Sequence, residues 1–217
     1  MHFLPNAIDL DLWDTQASAP MSIPMSISVD PNRRNLVVVG RIAPEKNQRA
    51  VVQALGALGP EAKAWSLWLL GEDTTHPQYV AALRADIHAA GLADRVHLLA
   101  PRQDVAGVMR QMTALLLPST REGFPNVLLE AMAIGLPVVA APVGEVPHIV
   151  TDRATGLLLA DASSSSIATG IDALSSMASA ELDALAERGR DHVRKHYAAD
   201  TVAEQHRNLY QTCVANA

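Results

Sequence analysis

Five short runs of uninterrupted apolar residues recur along the chain: NLVVVG (Asn35 to Gly40), AWSLWLLG (Ala64 to Gly71), RVHLLA (Arg95 to Ala100), ALLLP (Ala114 to Pro118) and PVVAA (Pro137 to Ala141). Continuous rather than alternating hydrophobicity predicts strands buried on both faces. Between them lie stretches with helical mixing of polar and apolar positions: EKNQRAVVQALGAL, PQYVAALRADIHAAG, DVAGVMRQM and PNVLLEAMAIG. The second and fourth close on glycine, as helices often do. This alternation predicts a Rossmann-like α/β fold, a parallel sheet with helices on both faces. Ligands of such sheets bind at the carboxyl ends of the strands, so a site is expected in post-strand loops.

The pattern changes toward both ends. Ala17 to Pro31, ASAPMSIPMSISVDP, has three prolines and several serines that interrupt any period, so a connecting segment is expected, with the folded unit beginning just after it. After Val150 a short TGLLL precedes helices from about Ser163 to the end, including SAELDALAERGRDHVRKHY and ADTVAEQHRNLYQTC. The division expected is a linker over 1–31, the α/β domain over 32–195 and a C-terminal helix over 196–217.

Composition narrows the partners. Of 217 residues 49% are hydrophobic, enough for a sizeable core, and the formal net charge of −6 argues against a nucleic-acid partner. Any bound anion has to be held locally. The single cysteine, Cys213, excludes an internal disulfide and fits a reducing compartment. No apolar stretch approaches the roughly 20 residues of a membrane helix, and MHFLPNAIDLDLW lacks the basic start of a signal peptide, so a cytoplasmic location is expected.

The common nucleotide and hydrolase signatures are absent: no GxGxxG follows a predicted strand, and there is no GxxxxGK[ST], GxSxG, HExxH or paired CxxC. His192 and His196 share a helix face, but in HVRKH they flank cations, which reads as a solvated face; no metal site is expected.

Two loops carry chemistry. GRIAPEKN (Gly40 to Asn47) follows the first strand and offers Arg41 and Lys46 around a rigid proline turn, a cation pair suited to a diphosphate. A helix start with solvated cations would also account for it. REGFPNVLLEAMAIGLPVV (Arg121 to Val139) sets Glu122 before a Gly123–Asn126 turn and Glu130 in the helix behind it, with Pro125 expected as that helix's first residue. A helix N-terminus there favours an anion. Glu130 lies among Leu128, Leu129, Ala131 and Met132 and so needs a partner. Carboxylates accept well from vicinal hydroxyls, so ribose and sugar diols suit both acids; an exposed Glu122 and a Glu130 paired with a cation are the plainer readings. Taken together, cations, amides and carboxylates describe a pocket for a nucleoside diphosphate sugar.

GRIAPEKN followed by EGFPNVLLEAMAIGLPVVAAPVGEVPHIVTDRATGLLL strongly resembles the retaining glycosyltransferases of the GT-B fold, group 1, often called family 4. The E-x7-E spacing of Glu122 and Glu130 is specific to that context. The resemblance runs from about Pro5 to the C-terminus and covers half of such an enzyme, the C-terminal, donor-binding domain. FLPNAID (Phe3 to Asp9) resembles the PNGID segment that ends the interdomain crossover, with Ala7 in place of glycine.

The resemblance implies catalytic roles for Arg41 and Lys46 on the departing diphosphate and for Glu122 at the transferred sugar. Glu130 would bind ribose, and Gly40 with the backbone of Gly123, Phe124, Pro125, Asn126 and Val127 would meet sugar and phosphate oxygens. The base would lie against Ala100 to Arg102. A UDP- or GDP-linked sugar would be the donor, with no metal and no cofactor, and the acceptor would be a glycan or lipid-linked glycan held by the missing N-terminal domain, in polysaccharide or glycolipid synthesis. The domain alone would be inactive. In intact relatives the final helix packs on the N-terminal domain, so Val202, Leu209 and Tyr210 are expected to form an exposed apolar face, open to dimerisation, and the full enzyme is expected at the inner membrane face. Glu145 and His148 in VGEVPHIV, and Ala100 and Pro101 in LLAPRQDV, depart from the family pattern and affect donor contacts and base identity. Two alternatives stay open, a non-catalytic nucleotide-sugar-binding module and a GT-B nucleotide-sugar epimerase.

Overall fold

The computed structural model describes residues 4–18, 30, 32–59, 64–72 and 74–215. Phe3 and most of the proline- and serine-rich stretch from Ala17 to Pro31 lie outside them. The five apolar runs are strands: β1 (Arg34–Val39), β2 (Trp65–Leu70), β3 (Val96–Leu99), β4 (Ala114–Leu117) and β5 (Val138–Ala140). TGLLL adds a short β6 (Leu157–Leu158). All pair in parallel, in the order β3-β2-β1-β4-β5-β6.

Burial on both faces explains the unbroken hydrophobic runs. All six residues of β2 are buried, Leu67 and Leu69 in one core layer and Trp68 and Leu70 in the other. The first layer packs under α2 (Gln48–Ala57), α3 (Pro77–Ala89) and α7 (Ser164–Ser176). The second packs under α4 (Val105–Met109), α5 (Asn126–Ala133), α6 (Val146–Ile149) and the later turns of α8 (Ser179–His196).

One helix lies ahead of the expected start of the folded unit. α1 (Leu10–Ser18) begins at Asp9, whose carboxylate accepts from the Leu12 amide at 2.9 Å, and it packs across α4 and α5 with Ala17 5% exposed. The signal was present, since an acidic cap followed by Leu10, Trp13 and Ala17 at helical spacing is a helix start. The prolines and serines of Ala17 to Pro31 overlap its end and mask it in the residue pattern. Asp14 reaches Arg194 of α8 at 2.9 Å and Ile8 donates to the Tyr197 carbonyl at 2.9 Å, so the N-terminal segment is tied to the body.

The final helix, α9 (Ala199–Ala215), is joined to the same segment by the Ala199 amide, which donates to the Ile8 carbonyl at 3.0 Å. Its expected apolar face is only partly present. Val202 is buried at 3% exposure against the body because the Ile8–Ala198 bridge holds the first turn down, whereas Tyr210 and Val214 are exposed.

Candidate functional site

The strand order reverses direction between β1 and β4, and in sheets of this kind the crevice beyond that switch point holds the ligand. The two loops singled out in the sequence are the ones that follow β1 and β4. They are joined to each other: the Thr120 amide donates to the Glu45 carbonyl at 2.9 Å. Asn47, in the left-handed region at φ 58°, donates its side-chain amide to the carbonyls of Pro118 at 3.0 Å and Ala162 at 2.8 Å. The mouth of the crevice is therefore a preformed backbone ring.

Within it Lys46 Nζ lies 2.6 Å from Glu122 Oε1, and Ser119 Oγ donates to the same oxygen at 2.6 Å. Glu122 is not the exposed acid of the plainer reading; its side chain is 9% exposed, that of Lys46 21% and Ser119 0%. Two donors on Oε1 set the carboxylate's orientation and leave Oε2 for a ligand. Lys46 also crosses Gly40, its Cε 3.4 Å from where a glycine Cβ would be. Arg41 is 56% exposed and pairs with Glu45 Oε1 at 3.1 Å. The Glu45 carboxyl is held below its ordinary value by its own backbone amide and then by the charges of Arg41, His76 and Arg121. Arg41 and Lys46 thus place two cations at this edge, each beside a carboxylate.

Behind the rim, α5 starts at Asn126. Pro125 has ψ 91° and is the cap residue rather than the first helical one, and no side chain caps the turn. Gly135, at φ 71°, ends the helix: the Leu136 amide reaches the Ala131 carbonyl and the Gly135 amide that of Met132, both at 2.9 Å. Asn126 accepts from the Asn6 amide at 2.9 Å, and Phe124 lies 6.2 Å from the Tyr197 ring. Val127 is half-buried and Gly123 exposed, its carbonyl accepting from the Glu145 amide at 3.1 Å.

Glu130 is half-buried, and among the described residues its carboxylate has neither a hydrogen bond nor an ion pair. Burial holds its pKa above the ordinary 4.5. The folded chain therefore binds that proton more tightly than the unfolded chain, so wild-type stability falls as pH rises from 4.5 through the raised folded value. Glu130→Gln should accordingly be more stable than wild type at pH 7, with the gap closing toward 4.5. Thermal melts of both proteins across that range check this; a variant no more stable at neutral pH refutes it.

Arg102 forms a two-point pair with Asp104, its NH2 nitrogen 2.7 Å from Oδ2, which raises the guanidinium above its ordinary pKa and fixes it in the loop after β3. His148 of α6 and Glu145, the residue that precedes this helix, approach to 3.9 Å beyond β5. On α8, His196 is exposed while His192 is half-buried, its pKa lowered by burial and then by His196 and Lys195. A cleft of about 380 Å³ opens elsewhere, beside Thr113, Pro137 and Leu182 at the amino ends of the strands, and holds none of the candidate residues.

The sequence reading did not single out Ser119, Asn47 or Gly144. The signal for Ser119 is a hydroxyl following a buried strand and three residues before an acid; Asn47 acts through side-chain bonds to loops distant in sequence, and Gly144 through a backbone conformation, neither of which a pattern of residue types displays.

Comparison with known proteins gives one consistent result. Residues 33–177 match the profile of Glycosyl transferases group 1. The chain is 30% identical over 164 residues to the lipopolysaccharide core biosynthesis mannosyltransferase LpsB of Rhizobium meliloti, covering 72% of this chain and 47% of the relative. It is 36% identical over 178 residues to the D-inositol 3-phosphate glycosyltransferase of Actinosynnema mirum, covering 78% and 42%. It thus spans about half the length of the curated relatives it matches. Among solved structures, Anabaena HepE in complex with UDP superimposes with a TM-score of 0.84 at 24% identity, over 96% of this chain and 57% of that one. The C-terminal domain of the group 1 family protein LpcC from Francisella tularensis superimposes with a TM-score of 0.71 at 24% identity, over 91% and 96%.

Proposed function

The chain belongs to the group 1 glycosyl transferases, and on that premise we propose that it is the donor-binding half of an enzyme that transfers a sugar from a nucleoside diphosphate to a glycan or lipid-linked glycan. The observation that carries this reading is the Lys46–Glu122 pair at the switch point, 2.6 Å apart, with a Glu130 carboxylate in the helix behind it that has no partner among the described residues. Arg41 and Lys46 hold the diphosphate and stabilise the charge that grows as it leaves. Glu122 takes a sugar hydroxyl, Glu130 the ribose, and the first amides of α5 a phosphate or sugar oxygen. Because cations and amides supply this stabilisation, the reaction needs no metal. The acceptor hydroxyl attacks on the face the nucleotide leaves and the departing phosphate takes its proton, so the anomeric configuration is retained.

The names of the relatives support a sugar donor, and solved neighbours include HepE complexes with UDP and with UDP-glucose. A UDP- or GDP-linked sugar is therefore the proposed donor and polysaccharide or glycolipid synthesis the setting. Acceptor recognition belongs to the half that this chain does not span, and the exposed Tyr210 and Val214 of α9 suit packing against it or, in its absence, against a second copy. No helix among the described residues is long and apolar enough to cross a membrane. The proposed setting of the full enzyme is peripheral, at the inner membrane face.

Calorimetry with UDP, GDP and ADP tests the reading. One of them should bind with micromolar to millimolar affinity while the chain alone transfers no sugar. Absence of heat with all three overturns it.

A further inference from the structure

A groove of about 280 Å³ runs between α1 and α5, lined by Asp9, Leu12, Trp13 and Gln16 from the N-terminal side and by Asn126 and Glu130 from α5. Asn126 and Glu130 are four residues apart on one helix face. A helical side chain leans toward the helix N-terminus, so the Glu130 side chain leans toward Asn126, over the groove they share. The α1 wall is fixed in place: Trp13 Nε1 donates to the Glu130 carbonyl at 2.7 Å, and Asp14 is held by Arg194. α1 also packs across α4, which follows directly from the Ala100–Arg102 loop. It thus lies over the two helices between which a nucleoside would sit.

We propose that α1 is one wall of a nucleoside subsite, with Trp13 and Gln16 as its specificity-determining residues. This rests on the donor reading above, and it adds a wall that the motifs of the β1 and β4 loops do not contain. The chemistry fits a base and its ribose. An indole offers a flat apolar surface for a ring, the Gln16 amide offers a donor and an acceptor to a base edge, and the half-buried Glu130 carboxylate is left to accept from ribose hydroxyls. Leu12, 55% exposed, lies on the rim of the groove, where a base edge would cover it.

The test separates the nucleoside from the diphosphate. Affinities for UDP, GDP, ADP and inorganic pyrophosphate are measured on the full chain and on Gln16→Ala, Leu12→Ala and Trp13→Phe; the last keeps the ring and removes the indole donor. The bound nucleoside diphosphate should weaken about fivefold in Gln16→Ala and Trp13→Phe, with pyrophosphate within about twofold of wild type. Gln16 and Leu12 form none of the anchoring bonds of α1, so their variants keep the readout valid if Trp13→Phe unfolds. Equal weakening of both ligands, or no change in either, overturns the subsite and leaves the donor reading standing. A wild-type chain that binds no nucleoside diphosphate overturns both.

Discussion

Lys46→Ala should lower affinity for the bound nucleoside diphosphate by about tenfold or more and destabilise the fold at the same time. The two effects have different origins. Lys46 Nζ shares Glu122 Oε1 with Ser119 Oγ, and an ammonium has three donors, so one can hold the carboxylate while the others reach phosphate oxygens. A lost charge-assisted bond of about 1.5 to 3 kcal/mol corresponds to roughly ten- to hundredfold in affinity. The stability loss comes instead from Glu122, 9% exposed and left with a single neutral donor. Breaking a fully buried pair costs roughly 3 to 5 kcal/mol. Because Lys46 is 21% exposed and Ser119 stays in place, about 1 to 3 kcal/mol is expected here.

The double variant Lys46→Ala with Glu122→Gln separates the origins. It removes the orphaned charge, so stability should return toward wild type while affinity stays low. Urea unfolding and calorimetry on the single and double variants check both. Affinity within twofold of wild type in Lys46→Ala would remove Lys46 from the site, and a double variant as unstable as the single would show that the pair is not what holds Glu122.

Much of this architecture could be read from residue order. Strands buried on both faces need no polar alternation, so NLVVVG and AWSLWLLG announced themselves, and a cation pair after one strand with an E-x7-E segment after another marked both loops. The juxtaposition of the loops was not legible from the pattern. Lys46 and Glu122 are 76 residues apart in sequence, and they meet because β4, rather than β2 or β3, lies beside β1 on the side where the strand order reverses. The sequence also suggested that Glu130 would need a partner, and the fold supplies none among the described residues, which turns a packing anomaly into a candidate ligand group. α1 shows the opposite failure. Its capping signal at Asp9 is local and strong, but the prolines that follow interrupt the period and hide the helix in the residue pattern.

Gly144→Ala should be among the most damaging single-methyl additions in the chain, and it acts on the site from the next loop. Gly144 follows β5 with φ 55°, where a side chain costs roughly 1 to 2 kcal/mol. The methyl carbon would also lie 2.1 Å from the Glu122 carbonyl oxygen and 2.8 Å from that of Gly123, distances at which backbone has to shift. The atoms that would move belong to the turn that presents Glu122 and leads into α5, and the Glu145–Gly123 hydrogen bond of 3.1 Å lies beside them. Donor affinity and stability should therefore fall together. Gly91→Ala supplies the control: its φ is 65° and no atom lies within 4 Å of the added methyl. It carries the conformational cost alone and lies at the end of α3, away from both loops, so it should lose about 1 to 2 kcal/mol and bind donor normally. The excess loss in Gly144→Ala over Gly91→Ala measures the collision with the Glu122 turn. Equal stability losses with unchanged affinity in both would mean that the loop after β5 does not position the site.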